Sequence, residues 1–308
     1  MRILVTGGAG FIGSHIVEHF HDQAEVRVLD NLRSGFKRNL AGLRHEFIEA
    51  SILDRDAVRR AVTGADYVFH LAAMVSVPES VAKPDECGQI NSLGTRIVLE
   101  EAARAGVKKL AFSSSAAIYG DNPTVPKIET MPPEPQSPYA ATKLEGERLC
   151  GTLAREESLA TVCLRYFNVF GPRQDPQSAY AAAVPMFIHR ALKNEPITIH
   201  GDGEQTRDFI SVKDIVAANV FFAMQSPATG IFNVACGKRT SINELCSTIC
   251  DLTGSRGEIR HGPTRPGDVK HSVASVEKLR AAGFVPHENF SSGLRATIEF
   301  FKHKAASR

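Results

Sequence analysis

Hydrophobic positions in the first half of the chain fall into short runs separated by longer amphipathic stretches. "RILVT" (2–6), "EVRVLD" (25–30), "HEFIEA" (45–50), "DYVFHLA" (66–72), "KKLAFSSS" (108–115) and "ATVCLRYF" (160–167) read as strands, rich in Val, Ile, Leu and Phe. Helical patterns lie between them at about 11–21, 54–63, 84–105 and 138–157. Strands alternating with helices predict right-handed β-α-β units on a parallel sheet. The expected fold is therefore α/β, doubly wound, with a second and smaller α/β lobe. After "RYFNVFGPR" the regularity loosens: Pro172, Pro176 and Pro185 punctuate a stretch that resumes with a helix near 184–193 and the short strand "ITIHG". The boundary is expected near 167, giving domains 1–167 and 168–308. The segment 208–236, "DFISVKDIVAANVFFAMQ" followed by "GIFNVAC", reads as strand–helix–strand and is able to return to the first domain. No repeat or low-complexity run stands out, and only the last few residues read as a loose tail.

Composition narrows the classes. The chain has 308 residues, 43% hydrophobic and 23% charged, the balance of a globular protein. A net charge of +2 gives no general reason to expect nucleic acid or an anionic membrane as partner. No apolar stretch approaches the roughly 18 residues needed to span a bilayer, and the opening apolar run is too short for a signal peptide. A cytoplasmic protein is expected. The cysteines at 87, 150, 163, 236, 246 and 250 form no C-x-x-C and read as buried thiols, with Cys246 and Cys250 on one helix face. His15 and His19 share a helix face, but no H-E-x-x-H is present. They read as exposed histidines, and no metal is expected.

"TGGAGFIG" places Gly7, Gly10 and Gly13 between the first strand and the first helix. Gly7 permits the tight turn, Gly10 lets backbone amides approach a pyrophosphate, and Gly13 allows close helix–sheet packing. Glycines alone could be turn formers. Here they follow a strand and open a helix, and the next strand ends in Asp30, where a dinucleotide fold bonds the adenosine ribose diol. A carboxylate there repels a 2′-phosphate and favours NAD over NADP. Arg33 argues the other way, since a nearby arginine can pair with that phosphate.

"SSSAAIYG" (113–120) comes off the fifth strand, and "SPYAATK" (137–143) opens the next long helix. Tyr139 and Lys143, at i and i+4, share a helix face. An isolated Y-x-x-x-K is usually a surface turn; beside a glycine loop the reading changes. Strand carboxyl ends are where ligands collect in such sheets, so Ser115, Tyr139 and Lys143 are expected to converge beside a nicotinamide. A phenol is a poor base at neutral pH unless positive charge favours its phenolate. The lysine and the cofactor's positive ring are the expected sources.

"TGGAGFIG", "HLAA" (70–73), "SSSAAIYG", "SPYAATK", "RYFNVFGPR", "RDFISVKD" and "RPGDV" together resemble the extended short-chain dehydrogenases/reductases, and among them the UDP-galactose 4-epimerase group. The resemblance runs from residue 2 to about 285. It implies NAD as a tightly held, recycled cofactor. The expected contacts are Gly7, Gly10, Phe11, Ile12, Gly13, Asp30, Asn31, Ser34, Gly35, Ser51, Ile52, Leu71, Ala72, Ala73, Asn91, Ser113, Tyr139, Lys143 and Tyr166. Asn91 matches an asparagine that supports the catalytic end. The implied catalytic residues are Ser115, Tyr139 and Lys143. For the substrate it implies Ser76 and Val77 at the hexose, with Ser115 and Tyr139. Asn168, Arg207 and Arg265 would hold the diphosphate, Asp268 the uridine ribose and His200 the uracil. Ser272 would face the sugar's C2 substituent. A small residue there leaves room for an acetamido group, so the implied reaction is interconversion of UDP-GlcNAc and UDP-GalNAc, with some activity on UDP-Glc and UDP-Gal.

Relatives that dehydrate or decarboxylate sugars typically carry acids just after the catalytic hydroxyl; here those positions are Ala116 and Ala117. Two departures stand out. Ser51 replaces an acid that often meets the adenine amino group, and Val75 replaces a lysine found in some plain-hexose epimerases. A UDP-glucose 4-epimerase proper, a UDP-uronate 4-epimerase and a non-catalytic NAD-binding regulator are the alternatives. The helices at 84–105 and 138–157 resemble the pair that forms the family's dimer interface, so a homodimer is expected.

Overall fold

The structure, a computed structural model, describes residues 1–157, 159–176, 182–264 and 269–306. Its centre is a sheet of seven strands, all paired in parallel. Six come from the first half: β1 (Arg2–Thr6), β2 (Glu25–Asp30), β3 (Glu46–Glu49), β4 (Tyr67–His70), β5 (Lys109–Ser115) and β6 (Ala160–Tyr166). The seventh, Gly230–Val234, returns from the second half to pair with β6. The order is 230–234, β6, β5, β4, β1, β2, β3. The chain thus winds outward from β1 to β3, then restarts on the other side at β4. This reversal opens a crevice at the carboxyl ends of β1 and its neighbours, the usual ligand position in such sheets.

Both sheet faces are covered, which is why the strands are apolar on both sides. On one face α1 (Phe11–Phe20) and α8 (Val212–Val220) bury Ile16, Val17, Ile215 and Ala218 against β1 and β6. On the other, α2 (Arg55–Val62), α5 (Gly94–Arg104) and α6 (Pro138–Glu156) bury Val58, Val98 and Leu149 against β4 and β5. A third core gathers Phe187, Ile199, Phe209, Leu245 and Leu294 from α7 (Ala183–Leu192), α9 (Ile242–Thr253), α10 (Phe290–Ala306) and the lobe's short strands.

Two expectations need correction, and one helix lies outside the predicted set. The helical pattern at 84–105 is not one helix. It divides into α4 (Pro84–Gly88), a wide π turn at Gln89–Leu93 and α5. The helix outside that set is α3 (Val77–Ala82), formed at "SVPES": Ser76 accepts the Glu79 N–H at 3.2 Å as N-cap and Pro78 occupies the first turn. Second, His15 is not an exposed histidine. Its ring is half-buried against the chain after β6, with Nε2 2.9 Å from the Pro172 carbonyl oxygen. His19 is exposed.

Candidate active site

The glycine turn is built by close approach. Gly7 has φ +71°, and a Cβ there would stand 2.7 Å from the Ala72 backbone nitrogen. A Cβ on Gly13 would stand 2.2 Å from the Gly7 carbonyl oxygen. Gly35 abuts Ala9, which accepts the Phe36 N–H at 2.9 Å. The loops after β1, β2 and β4 therefore touch, and the turn they form leaves no room for a side chain at Gly7 or Gly13. This fits a dinucleotide pyrophosphate. Asp30, at the end of β2, accepts from Ala9 N at 2.9 Å and Leu32 N at 2.7 Å, so it also pins the glycine turn. Burial raises its carboxyl above the ordinary value. Asn31, Ser34, Leu71, Ala72 and Ala73 line these same loops, and Phe11 and Ile12 open α1.

Ser51 accepts the Leu53 N–H at 3.1 Å and so turns the chain after β3. Ile52 is buried against Gly94. Asn91 is 3% exposed and fully engaged. It accepts from Met74 N at 2.7 Å and donates to Met74 O, Thr142 Oγ1 and Cys87 Sγ. Its side chain clamps the loop after β4 to α6.

The catalytic candidates come from neighbouring elements. Ser115 ends β5 and accepts the Ala117 N–H at 3.2 Å. Tyr139 and Lys143 sit in the first turns of α6, capped by Ser137. Lys143 is 4% exposed; its Nζ donates to Ser113 O at 2.7 Å and lies 5.9 Å from the Tyr139 ring centroid. Burial pushes the ammonium down to about 8. The Tyr139 phenol is raised by burial, opposed by a hydrogen bond with Ser115. Of the two expected sources of positive charge, the lysine by itself leaves the phenol raised. Desolvation outweighs an ammonium that is itself buried and bound to a carbonyl.

Further residues hold this end together. Tyr166, the register partner of Ser115, is buried and bonds Asn219. His70 is buried between Thr6 Oγ1 at 2.7 Å and Thr95 Oγ1 at 2.9 Å. Burial, and after it the Lys143 charge, push its imidazole down to about 3, so it stays neutral. Three supports escaped the sequence reading. Ser80 accepts the Tyr139 N–H at 3.2 Å. Glu147 binds Arg165 with two bonds of 2.8 Å and accepts from Ser114 Oγ at 2.6 Å. Asp208, fully buried, accepts from Cys236 N, Gly237 N and Ala274 N, and burial raises it to about 6. Asp208 had a signal, an acid directly followed by the apolar "FISV". The others are long-range partners with no local motif.

In the second lobe an open pocket of about 340 Å³ is lined by Asn168, His200 and Arg207 with Phe187, Phe209 and Ile242. Asn168 follows β6 by two residues, linking this pocket to the catalytic end. Ser272 pairs in register with Arg207, and Ser76 and Val77 open α3. Val75 is exposed. Arg265 and Asp268 lie outside the described residues. Among the described residues no cluster of three or more His, Cys, Asp or Glu could hold a metal, and no helix is long and apolar enough to cross a membrane.

A glycine cradle at a sheet switch point, with serine, tyrosine and lysine at the next strand end, defines a dinucleotide-dependent enzyme acting on an alcohol or carbonyl. The sequence profile of the NAD dependent epimerase/dehydratase family matches residues 3–235, and the chain belongs to that family. It is an NAD-dependent enzyme of the extended short-chain dehydrogenase/reductase type. UDP-glucose 4-epimerase of Mycolicibacterium smegmatis is 38% identical over 315 residues, covering 99% of this chain and all (100%) of that one. The crystal structure of UDP-glucose 4-epimerase with UDP-glucose from Thermotoga maritima superposes with a TM-score of 0.95 at 40% identity, covering 99% and 100%. UDP-N-acetylglucosamine 4-epimerase from Methanobrevibacter ruminantium M1, in complex with UDP-N-acetylmuramic acid, gives 0.95 at 42% identity, covering 98% of both chains.

Proposed function

We propose that this enzyme is a UDP-sugar 4-epimerase that interconverts UDP-GlcNAc and UDP-GalNAc, and also acts on UDP-Glc and UDP-Gal. One observation carries the reaction type: Ser115 and Tyr139 are hydrogen-bonded beside buried Lys143, while Ala116 and Ala117 follow Ser115 with no acid or base. That set moves one proton at one oxygen and nothing more. Tyr139 takes the proton of the C4 hydroxyl, Ser115 donates a hydrogen bond to the same oxygen, and Lys143 fixes the strand end between them. NAD, when bound, would accept the C4 hydride, return it to the opposite face, and supply a positive ring charge beside Tyr139. The 4-keto sugar turns over in the site, and Tyr139 returns the proton once the opposite face is presented.

Gly7, Gly10, Gly13 and Asp30 would hold the cofactor. Asn168, Arg207 and Arg265 would hold the diphosphate, with His200 at the uracil and Asp268 at the ribose. Small Ser272 beside Arg207 supports the acetylated sugars. The relatives named UDP-glucose 4-epimerases favour the plain hexoses as a second reading. Incubation with UDP-GlcNAc and UDP-Glc side by side, products resolved by NMR, separates the two. Conversion of UDP-Glc alone overturns the acetylated-sugar reading. A homodimer through the outer faces of residues 84–105 and α6 completes the proposal, with Leu93 at the end of the π turn 40% exposed; light scattering reads its mass.

A further inference from the structure

Arg33 lies three residues past Asp30, where an arginine can accommodate the 2′-phosphate of NADP. In this structure its guanidinium is already engaged. Nη2 donates to Glu79 Oε1 at 2.7 Å and Nη1 donates to Glu86. Glu79 sits in the first turn of α3 and Glu86 in α4, both on the segment that follows β4. Because β1 lies between β2 and β4, the bridge joins the two loops that flank the glycine turn. It is anchored at both ends. Ser76 caps the helix carrying Glu79, and the Arg33 N–H donates to Asn31 Oδ1 at 3.2 Å. Lys83, 3.6 Å from Glu86, is a second cation on that carboxylate. Arg33 in turn holds the Glu86 carboxyl below its ordinary value.

A guanidinium recognises phosphate by donating from its fork to two oxygens. With both terminal nitrogens donating to carboxylates, the terminal fork of Arg33 is already taken. We propose that Glu79 and Glu86 are cofactor-specificity residues: by holding Arg33 they deny NADP the cation that would otherwise offset Asp30. Asp30 supplies the repulsion, and the two glutamates remove its remedy. The inference rests on the family's use of a dinucleotide and is independent of which sugar is turned over.

The test is the dissociation constant of NADH and of NADPH, read from nicotinamide fluorescence on the purified protein. Glu79→Gln with Glu86→Gln frees Arg33, and the preference for NADH over NADPH is expected to narrow by about tenfold, the equivalent of one strong charge-assisted contact. Adding Arg33→Gln to that double variant restores the wild-type ratio. Arg33→Gln alone leaves the ratio near wild type. Retained NADH affinity reports an intact fold. Should the double variant not fold, either glutamate changed singly gives a smaller shift in the same direction. An unchanged ratio in the glutamate variants overturns the proposal. So does a gain in NADPH binding that survives Arg33→Gln, because the effect would then be the loss of negative field alone.

Discussion

Lys143 donates from Nζ to the carbonyl oxygen of Ser113 at 2.7 Å, two residues before Ser115 on the same strand. The ammonium is therefore a brace between α6 and the end of β5 as well as a charge. Burial lowers it from 10.5 to about 8. Between those values the unfolded chain binds more protons at this site than the folded one, so stability rises with pH across the window. Below about 8 the folded protein carries the full cost of a buried charge. Lys143→Met is expected to be more stable than wild type at pH 7, by about 1–3 kcal/mol less the lost bond to Ser113. That advantage should shrink as pH rises from 8 toward 10. Urea midpoints across the range measure it, and an advantage that grows with pH would contradict the burial account.

Tyr139→Phe removes the proposed proton carrier and leaves the ring in place. Turnover is expected to fall by about 10²–10⁴-fold, the range for a positioned acid–base group. The backbone bond from Tyr139 N–H to Ser80 is unaffected, so α6 should keep its seat and the fold its melting temperature. Steady-state kinetics and a thermal melt together decide. Near-normal epimerisation by the phenylalanine variant would assign the proton to another group.

Gly7→Ala tests the cradle. Alanine at φ +71° is strained by roughly 1–2 kcal/mol, and its Cβ would meet the Ala72 nitrogen at 2.7 Å. The loops after β1 and β4 must then separate. The expected result is loss of NAD retained through gel filtration, with destabilisation of a few kcal/mol at most. Normal NAD retention would mean that the close approach of these loops is not what holds the cofactor.

The parts legible in the sequence are those with local signals. β2 and β6 announce themselves as apolar runs closed by Asp30 and Tyr166, and the glycine spacing marks the turn between β1 and α1. The strand–helix–strand character of 208–236 is visible as well, and Gly230–Val234 lies in the main sheet. What stayed hidden is long-range. Nothing near Ser80 in sequence says that its hydroxyl seats Tyr139, 59 positions away. The break at Gln89–Leu93 has no proline or glycine inside it; Asn91 is drawn inward there to bind Met74 and Thr142. The depth at which Lys143 is buried is hidden too, because it is a property of the packed sheet and not of Y-x-x-x-K.

Behind Ser115, Glu147 and Arg165 form a buried pair with side chains 2% and 3% exposed. Breaking such a pair leaves an uncompensated charge, so Glu147→Gln is expected to cost about 3–5 kcal/mol. Replacing both partners by apolar residues, Glu147→Leu with Arg165→Met, should recover most of that loss. The double variant also loses the bond from Ser114 Oγ, so turnover should stay impaired after stability returns. Urea denaturation of the three proteins measures the first effect and kcat the second. A double variant as unstable as the single one would show that the pair is a net source of stability.

Ser272→Tyr probes the pocket proposed for the sugar's C2 substituent. Ser272 pairs in register with Arg207, which lines the lobe's pocket, so a side chain at 272 grows from a strand fixed beside the proposed diphosphate site. A phenol there fills the space an acetamido group would need, and rejection by overlap in a packed site is steep because interiors give little. Plain hexoses lack that group and should still fit. Turnover of UDP-GlcNAc and UDP-GalNAc is expected to fall by tenfold or more, about the effect of 1.4 kcal/mol. Turnover of UDP-Glc and UDP-Gal should stay within about threefold of wild type, well under that margin. The ratio of kcat/KM for the two pairs is the measurement. It cancels any general loss of activity from the added bulk. Equal loss on both pairs would mean that residue 272 does not face C2, and selectivity would then have to be sought among the residues that open α3, Ser76 and Val77.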